Sequence, residues 1–323
     1  MDERSTGLHS IGDAMGRHAQ DIDALWDVML WVCGFMYLLV VGFLLLALFR
    51  RGPRRDINDH TQAHEERGLS ASLATWTGLI ALGLFGLTLF SYFTDRSLVQ
   101  AAADAQIAIK ITGHQWWWEI EYTDPNDPSR QLRTANELHL PVGTPVKISL
   151  ESRDVIHSFW VPSLHGKQDL IPGRDNDIEI LADKEGVYRG ICAEFCGLQH
   201  SKMHLDVVVE SKDGYSAWYE RQLQAASPPS DPLAERGHGV FMATACNMCH
   251  TISGTDAGGS TGPDLTHVAS RRFIAAGALQ NHRDNMRAWL ANPQAIKPGN
   301  HMPIVSLSAD QLDALTAYLG TLQ

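Results

Sequence analysis

Two long apolar stretches dominate the hydropathy pattern of the first hundred residues. Residues 26–49 carry no charge after Asp27, and residues 71–93 carry none at all. About 20 such residues suffice to cross a bilayer. Aromatic side chains lie near the ends, Trp26 and Trp31 on the first stretch and Trp76 and Tyr92 on the second, where interfacial belts form. Helices apolar all round predict membrane spans rather than a buried soluble hairpin. Neither stretch reads as a cleavable signal peptide. The first is too long, and it comes after a polar, acidic segment (residues 1–25) without a basic start. The connecting loop carries Arg50, Arg51, Arg54, Arg55 and Arg67, against Arg4 and Arg17 before the first span. The excess of arginine puts that loop in the cytoplasm and everything from about Thr94 onward outside.

After the spans the period shortens to two. Gln106–Ile111, Val146–Leu150, Ile178–Leu181, Val187–Ile191 and His204–Val209 read as strands. Short strands separated by Gly, Pro and Asp turns predict a sandwich or barrel. Residues 222–232 contain three prolines and little apolar content, the mark of a semi-rigid linker. Its eleven residues reach at most ~35 Å, enough to keep two domains near each other without fixing their contact. Beyond it the pattern is helical. Residues 283–291 place Met286, Trp289 and Leu290 at core-facing positions, and Ser308 to Gln311 is a capping box for a final helix with Leu312, Leu315 and Leu319 on one face. The expected layout is an outer N-terminal segment (1–25), a helical membrane hairpin (26–95), a β domain (96–221), a linker (222–232) and an all-α domain (233–323).

Composition narrows the class. The 323 residues suggest about two domains by length alone. A net charge of −11 with no basic cluster excludes nucleic acid as a partner. Of five cysteines, four fall in two short motifs and Cys33 sits alone in an apolar helix as inert packing. None remains for a disulfide framework.

The first motif spans residues 192–203, CAEFCGLQHSKM. It gathers two cysteines, an imidazole and a thioether, soft ligands that favour copper, zinc or iron–sulfur chemistry over magnesium or calcium. A disulfide between Cys192 and Cys196, or a zinc knuckle, is the alternative reading of the residues alone. His157 offers a second imidazole upstream. The second motif, Cys246-Asn247-Met248-Cys249-His250, reads as covalent c-type haem attachment with His250 as the proximal ligand. Taken alone it is also compatible with zinc. Gly262-Pro263-Asp264-Leu265, His301-Met302-Pro303 and a terminal helix with a tyrosine come after it, an order similar to class I cytochromes c. That similarity implies Met302 as the distal ligand. His301 is its competitor, with Met242, Met248, His267 and His282 further behind. A Met/His pair keeps the haem potential high.

Position by position, His157 and the 192–203 loop resemble the binuclear CuA signature of cytochrome c oxidase subunit II. The resemblance implies Cys192 and Cys196 as bridges, with His157, His200, Met203 and the Glu194 carbonyl completing the copper set. It implies a magnesium ion shared with subunit I through the Glu194 carboxylate. It also implies a cupredoxin-like Greek-key barrel, with an all-α class I cytochrome c domain fused behind it in a caa-type arrangement. The stretch from Gly113 through Trp116, Trp117 and Trp118 to Glu119 looks like the aromatic patch through which electrons enter, with Trp116 as the entry residue and ordinary core packing as the plainer reading of these indoles. Residues 167–174 resemble the segment that faces subunit I. One departure stands out. Many relatives have a glutamate near the start of the second span, linked to a proton path, where this chain has Leu73.

The implied function is electron input to a terminal oxidase in a bacterial plasma membrane. Electrons pass from the fused haem to CuA and on to subunit I, where oxygen is reduced to water with proton pumping. The implied partners are subunit I and the other oxidase subunits, membrane lipid, and a cytochrome c or quinol–cytochrome c reductase as donor. A nitric oxide reductase with a CuA subunit would use almost the same chain, and a non-catalytic membrane-anchored copper or redox protein is the reading from a different class. Quinol oxidases are disfavoured, because their subunit II lacks the copper ligands. The chain has no His-rich spans of its own, so oxygen reduction falls to another subunit.

Overall fold

The computed structural model describes residues 9–50, 63–101, 107–124, 127 and 130–323. Arg4, Arg51, Arg54 and Arg55 of the charge asymmetry, and Gln106 of the first predicted strand, lie outside these residues, as does the Arg67 side chain. Two compact units emerge, one of residues 21–100 and one of residues 1–20 with 101–323.

The first unit is a helical pair. Helix α1 spans Arg17–Phe49 and α2 spans Ala63–Ala101. Within them Arg17–Phe49 and Gly68–Thr94 are long and apolar enough to cross a membrane, and their most apolar windows bury no residue inside the protein. Trp31, Phe35, Leu48, Leu73 and Leu82 all lie exposed, as lipid-facing side chains do. Both helices start earlier than the apolar runs, and the second also ends later, because polar residues extend a helix once its apolar turns have formed. An edge-to-face contact between Phe43 and Trp76, 5.9 Å between ring centroids, joins the two helices.

The second unit opens with a β module of two five-stranded sheets. One has the order β3-β2-β1-β5-β8, with β1 Ile107–His114, β2 Trp117–Thr123, β3 Gln131–Ala135, β5 Val146–Ser152 and β8 Asn176–Ile180. The other runs β4-β10-β9-β6-β7, with β4 Glu137–Pro141, β6 His157–Trp160, β7 Gln168–Leu170, β9 Gly186–Cys192 and β10 His204–Glu210. Strands β1 and β5 pair in parallel, as do β4 and β10, and the remaining neighbours are antiparallel. Alternation explains β5, where Val146, Ile148 and Leu150 are buried and Lys147 is exposed. The inner faces bury Ile111, Trp118, Ile120, Phe159, Tyr188 and Leu205 in one core. The five predicted strands correspond to β1, β5, β8, β9 and β10. The start of α1 and the residues just before it join this module as well, with Met15 N donating to Ser163 O at 2.7 Å and Arg17 N to Leu181 O at 3.2 Å.

Helix α3, Lys212–Gln222, closes the β module, and its Trp218 stacks on His139 at 4.0 Å. A helical module comes next: α4 Pro232–Ala243, α5 Cys246–Cys249, a short hairpin of β11 Phe273–Ile274 and β12 Leu279–Gln280, α6 Arg283–Ala291, α7 Pro293–Ile296 and α8 Ala309–Leu319. Asp231 caps α4 and Pro232 occupies its first turn. Ser308 and Gln311 form the reciprocal capping box of α8. These two helices cross at Gly237, where a Cβ would lie 2.0 Å from Ala314 O, so only glycine allows the approach. Leu312, Leu315, Tyr318 and Leu319 of α8 join Phe241 and Met286 in a second core.

The linker expectation changes on two points. The chain is still helical at Gln222, and the residues immediately after it are tied down rather than free. His267 Nε2 lies 3.0 Å from both Gln222 O and Gln224 O, and Ala226 N donates to Ser253 O at 2.9 Å. The helical module is docked on the β module. Arg272 N donates to Glu137 Oε2 at 2.8 Å, and Asp206 accepts from both Arg189 (2.7 Å) and Arg272 (3.1 Å). Proline content reported the stiffness of the segment but carried no information on contacts made by residues far from it.

Candidate functional site

The copper-type loop is shaped by strand pairing. Antiparallel pairing of β6 with β9 sets Phe159 opposite Cys192, which brings His157 beside a cysteine 35 positions away in the chain. Cys192 N donates to Met203 O at 3.0 Å and Ala193 N to Ser158 O at 2.8 Å, pinning both ends of the loop. Inside it, Cys192 Sγ and Cys196 Sγ are 3.7 Å apart and both cysteines are free. His157 Nδ1 lies 3.9 Å from Cys192 Sγ, and Glu194 O lies 3.2 Å from the same sulfur. His200 Nδ1 and Met203 Sδ lie 3.6 and 3.9 Å from Cys196 Sγ. All six residues singled out in the sequence thus meet at one place.

The donor set fits a thiophilic metal. A disulfide needs its sulfurs about 2.05 Å apart, whereas metal–thiolate bonds of about 2.3 Å bridge a 3.7 Å sulfur pair without rearrangement. Contact with the Cys196 sulfur, helped by His157 and opposed by burial, pulls the Cys192 thiol down to about 3; the same contact and burial push Cys196 up. His157 is fully buried, which by itself lowers its pKa, but the Asp154 carboxylate and Cys192 outweigh burial and raise it.

Asp154 was not legible in the sequence. Its Oδ1 lies 2.8 Å from His157 Nε2 and also accepts from Val155 N, while its Oδ2 accepts from Gln115 N at 2.7 Å. Holding Nε2 leaves Nδ1 facing the sulfurs, the outer carboxylate arrangement that orients metal-bound histidines. Its only sequence signal is an acid three positions before the histidine, too common a spacing to single out.

The second site is a cavity of about 490 Å³ lined by Cys246, Cys249, His250, Met302 and Arg271, among others. His250 Nδ1 is engaged with Pro263 O at 2.7 Å, so Nε2 is the nitrogen left for iron. Burial lowers the His250 pKa and keeps the ring neutral, as a ligand must be. A Cβ at Gly262 would lie 2.7 Å from the His250 ring, so glycine cradles the imidazole. Arg271 is buried and its Nε has no hydrogen-bond partner among the described residues, which suits the anionic edge of a haem. Met302 is half-buried against the helical core, and Asn300 Oδ1 accepts from its backbone N at 2.8 Å. His301 is exposed, with its ring 5.5 Å from Trp116. Of the other competitors, His267 has both ring nitrogens engaged by carbonyl oxygens, His282 caps α6, Met248 is exposed and Met242 packs on the core.

Trp116 stands between the two sites. It is only 6% exposed, its Nε1 donates to Cys196 O at 3.0 Å, and the same carbonyl accepts from Gln115 Nε2 at 2.7 Å. The helical module covers it, so it is not open to a soluble protein donor. Trp117 stacks on His114 at 4.3 Å. Glu194 is half-buried, with Oε1 accepting from Phe195 N at 3.2 Å.

Known proteins resemble the chain over both outer modules. Residues 107–212 match the family model described as cytochrome c oxidase subunit II, periplasmic domain, and residues 234–323 match that for cytochrome c. The chain is 34% identical over 319 residues to a cytochrome c oxidase subunit 2 of Alkalihalophilus pseudofirmus, covering 96% of this chain and 90% of the relative. It is 28% identical over 303 residues to that of Bacillus subtilis, covering 88% and 83%. Among solved structures it is similar to the periplasmic domain of subunit II of cytochrome oxidase of Bradyrhizobium japonicum, at 30% identity and a TM-score of 0.34, over 36% of this chain and 94% of that one.

Proposed function

The chain belongs to the cytochrome c oxidase subunit II family, and from that membership we propose that it carries electrons into a bacterial haem–copper oxidase through two centres in series. Cys246, Cys249, His250 and Met302 would hold a haem c. His157, Cys192, the Glu194 carbonyl, Cys196, His200 and Met203 would hold two copper ions. Bound, these groups supply reversible one-electron chemistry between an external cytochrome c or quinol–cytochrome c reductase and subunit I, where oxygen is reduced and protons are pumped.

The chain's own residues do the positioning. Asp154 orients His157, and the paired strands β6 and β9 keep the loop from rearranging between oxidation states. Gln115 and Trp116 both donate to the Cys196 carbonyl, so the aromatic patch is fastened to a proposed copper ligand. The observation that carries the reading is continuity of contact: Met302 adjoins His301, His301 lies 5.5 Å from Trp116, and Trp116 is bonded to Cys196. The Glu194 carboxylate is left over for magnesium, with the remaining ligands coming from subunit I. The two apolar helices would lie in lipid of the plasma membrane, with both outer modules on the extracytoplasmic side.

A two-donor assay on the assembled oxidase tests this. Met302→Ala should abolish the weak far-red sulfur-to-iron band and slow oxygen uptake from reduced cytochrome c, while a small reductant feeding copper directly is spared. His301→Ala should keep the band. Equal slowing with both donors would place the haem off the route.

A further inference from the structure

We propose that Lys297 is the positioning residue that sets the haem module in register with the copper loop and so governs electron transfer between them. The inference rests on the series route proposed for the two centres. Lys297 lies just after α7, and only 3% of it is exposed. Its Nζ donates to three backbone carbonyls: Trp116 O at 2.9 Å, Lys202 O at 2.9 Å and Ala275 O at 3.3 Å. The first two belong to the copper module, one in the aromatic patch and one next to Met203. The third belongs to the β11–β12 hairpin of the helical module. An ammonium has three N–H donors, and all three are used.

No carboxylate pairs with Lys297 among the described residues, and this decides what it does. A buried charge without a counter-charge is costly. Burial, with repulsion from Lys202 adding to it and the Cys196 sulfur only partly opposing them, pulls its pKa down to about 7. In an undocked module the same amine would be solvated at no cost. Lys297 is therefore a poor source of docking affinity, which the Arg272–Asp206 ion pair and the Arg272 N bond to Glu137 supply instead. Its three acceptors are fixed main-chain atoms, so its demand is geometric. Only one placement of the helical module satisfies them together.

That placement reaches the haem site through a short, stiff loop. Asn300 Nδ2 donates to Lys297 O at 2.6 Å and to Pro293 O at 3.0 Å, and Asn300 Oδ1 accepts from Met302 N. Gln294 Nε2 holds Met302 O at 2.9 Å. On the copper side Gln199 Nε2 donates to Pro298 O at 2.6 Å and Lys202 Nζ to Ile296 O at 2.5 Å. Lys297 thus grips the backbone of Trp116 from one side while the Trp116 indole grips Cys196 from the other.

The test uses the full chain in the assembled oxidase with Lys297→Met, which keeps length and removes the donors. Haem-to-copper transfer after photoreduction should slow several-fold, since electron transfer falls steeply with added distance and lost contact between donor and acceptor. The haem bands, the copper spectrum and both midpoint potentials should stay at wild-type values, as should oxygen uptake from a small reductant feeding copper. A residue that merely stabilised the fold would move the spectra and leave the rate of intact molecules unchanged; that result, or a wild-type rate, overturns the proposal. Should Lys297→Met fail to hold either cofactor, Lys297→Gln retains polarity and two donors and should show a smaller slowing with intact spectra; loss of cofactor there too makes Lys297 a folding residue and rejects the proposal. If the unaltered protein shows no haem-to-copper transfer at all, the series route itself is wrong, an outcome distinct from a variant that transfers as fast as the parent.

Discussion

At the scale of single residues, what a loop can bind depends on atoms that do not themselves bind. His157 could present either nitrogen to the sulfurs, and Asp154 decides between them at 2.8 Å from Nε2. Loss of an outer partner of this kind weakens metal affinity by about 10- to 100-fold. Asp154→Ala should therefore lose copper to a competing chelator at a concentration lower by about that factor. Its spin-resonance hyperfine pattern should still report two equivalent coppers, because both cysteines remain. Asp154→Asn, which keeps an acceptor oxygen, should lose less. Copper retention equal to the parent's in Asp154→Ala would show that the ring is held by packing alone. The proposed ligands Cys192, Cys196, His200 and Met203 were legible because they share one short loop, and local spacing is written in the sequence. Asp154, Arg271 and Lys297 were not, since their roles come from partners brought near by folding.

Among the elements, β4 shows where periodicity fails. All five of its residues are buried, so it has no alternation to read. One face carries His139 into a polar cluster with Glu137 at 3.1 Å and Glu210 at 3.2 Å, under the Trp218 ring. Burial alone would lower the His139 pKa, but the two carboxylates outweigh it and raise it above 6.5. A raised folded-state pKa contributes stability that is complete below the unfolded value and is lost as pH rises through the folded value. The melting temperature of the outer unit should thus fall as pH climbs above 6.5, and His139→Gln should flatten that slope. A parent protein whose stability is level across this range would exclude His139 as the charged member of the cluster. Strands β5 and β10 were readable because each has an alternating or strongly β-branched run. Strand β2 was hidden inside a run of tryptophans, and β6 and β7 are too short to show a period.

For the whole molecule, the arginine asymmetry and the packing of residues 15–17 on the β module combine into one topology. The segment before the first span hydrogen-bonds to the domain beyond the second, so in a membrane both are expected on one side, and the charge asymmetry predicts the arginine-rich loop on the other. A reporter fused near Arg55 should be cytoplasmic and one fused at Gln100 should not. Protease cleavage of that loop in right-side-out vesicles would invert the arrangement. The spans, both cofactor motifs and the capping of the last helix were determined by the sequence itself, because each depends on residues close together in the chain or on bulk hydropathy. How the two outer modules meet was decided only by the tertiary structure. The contacts that dock them pair Lys297 with Trp116, Arg272 with Asp206 and Gln199 with Pro298, across 181, 66 and 99 positions. Many of their acceptors are backbone carbonyls, which every residue possesses, so no side-chain pattern could have announced them.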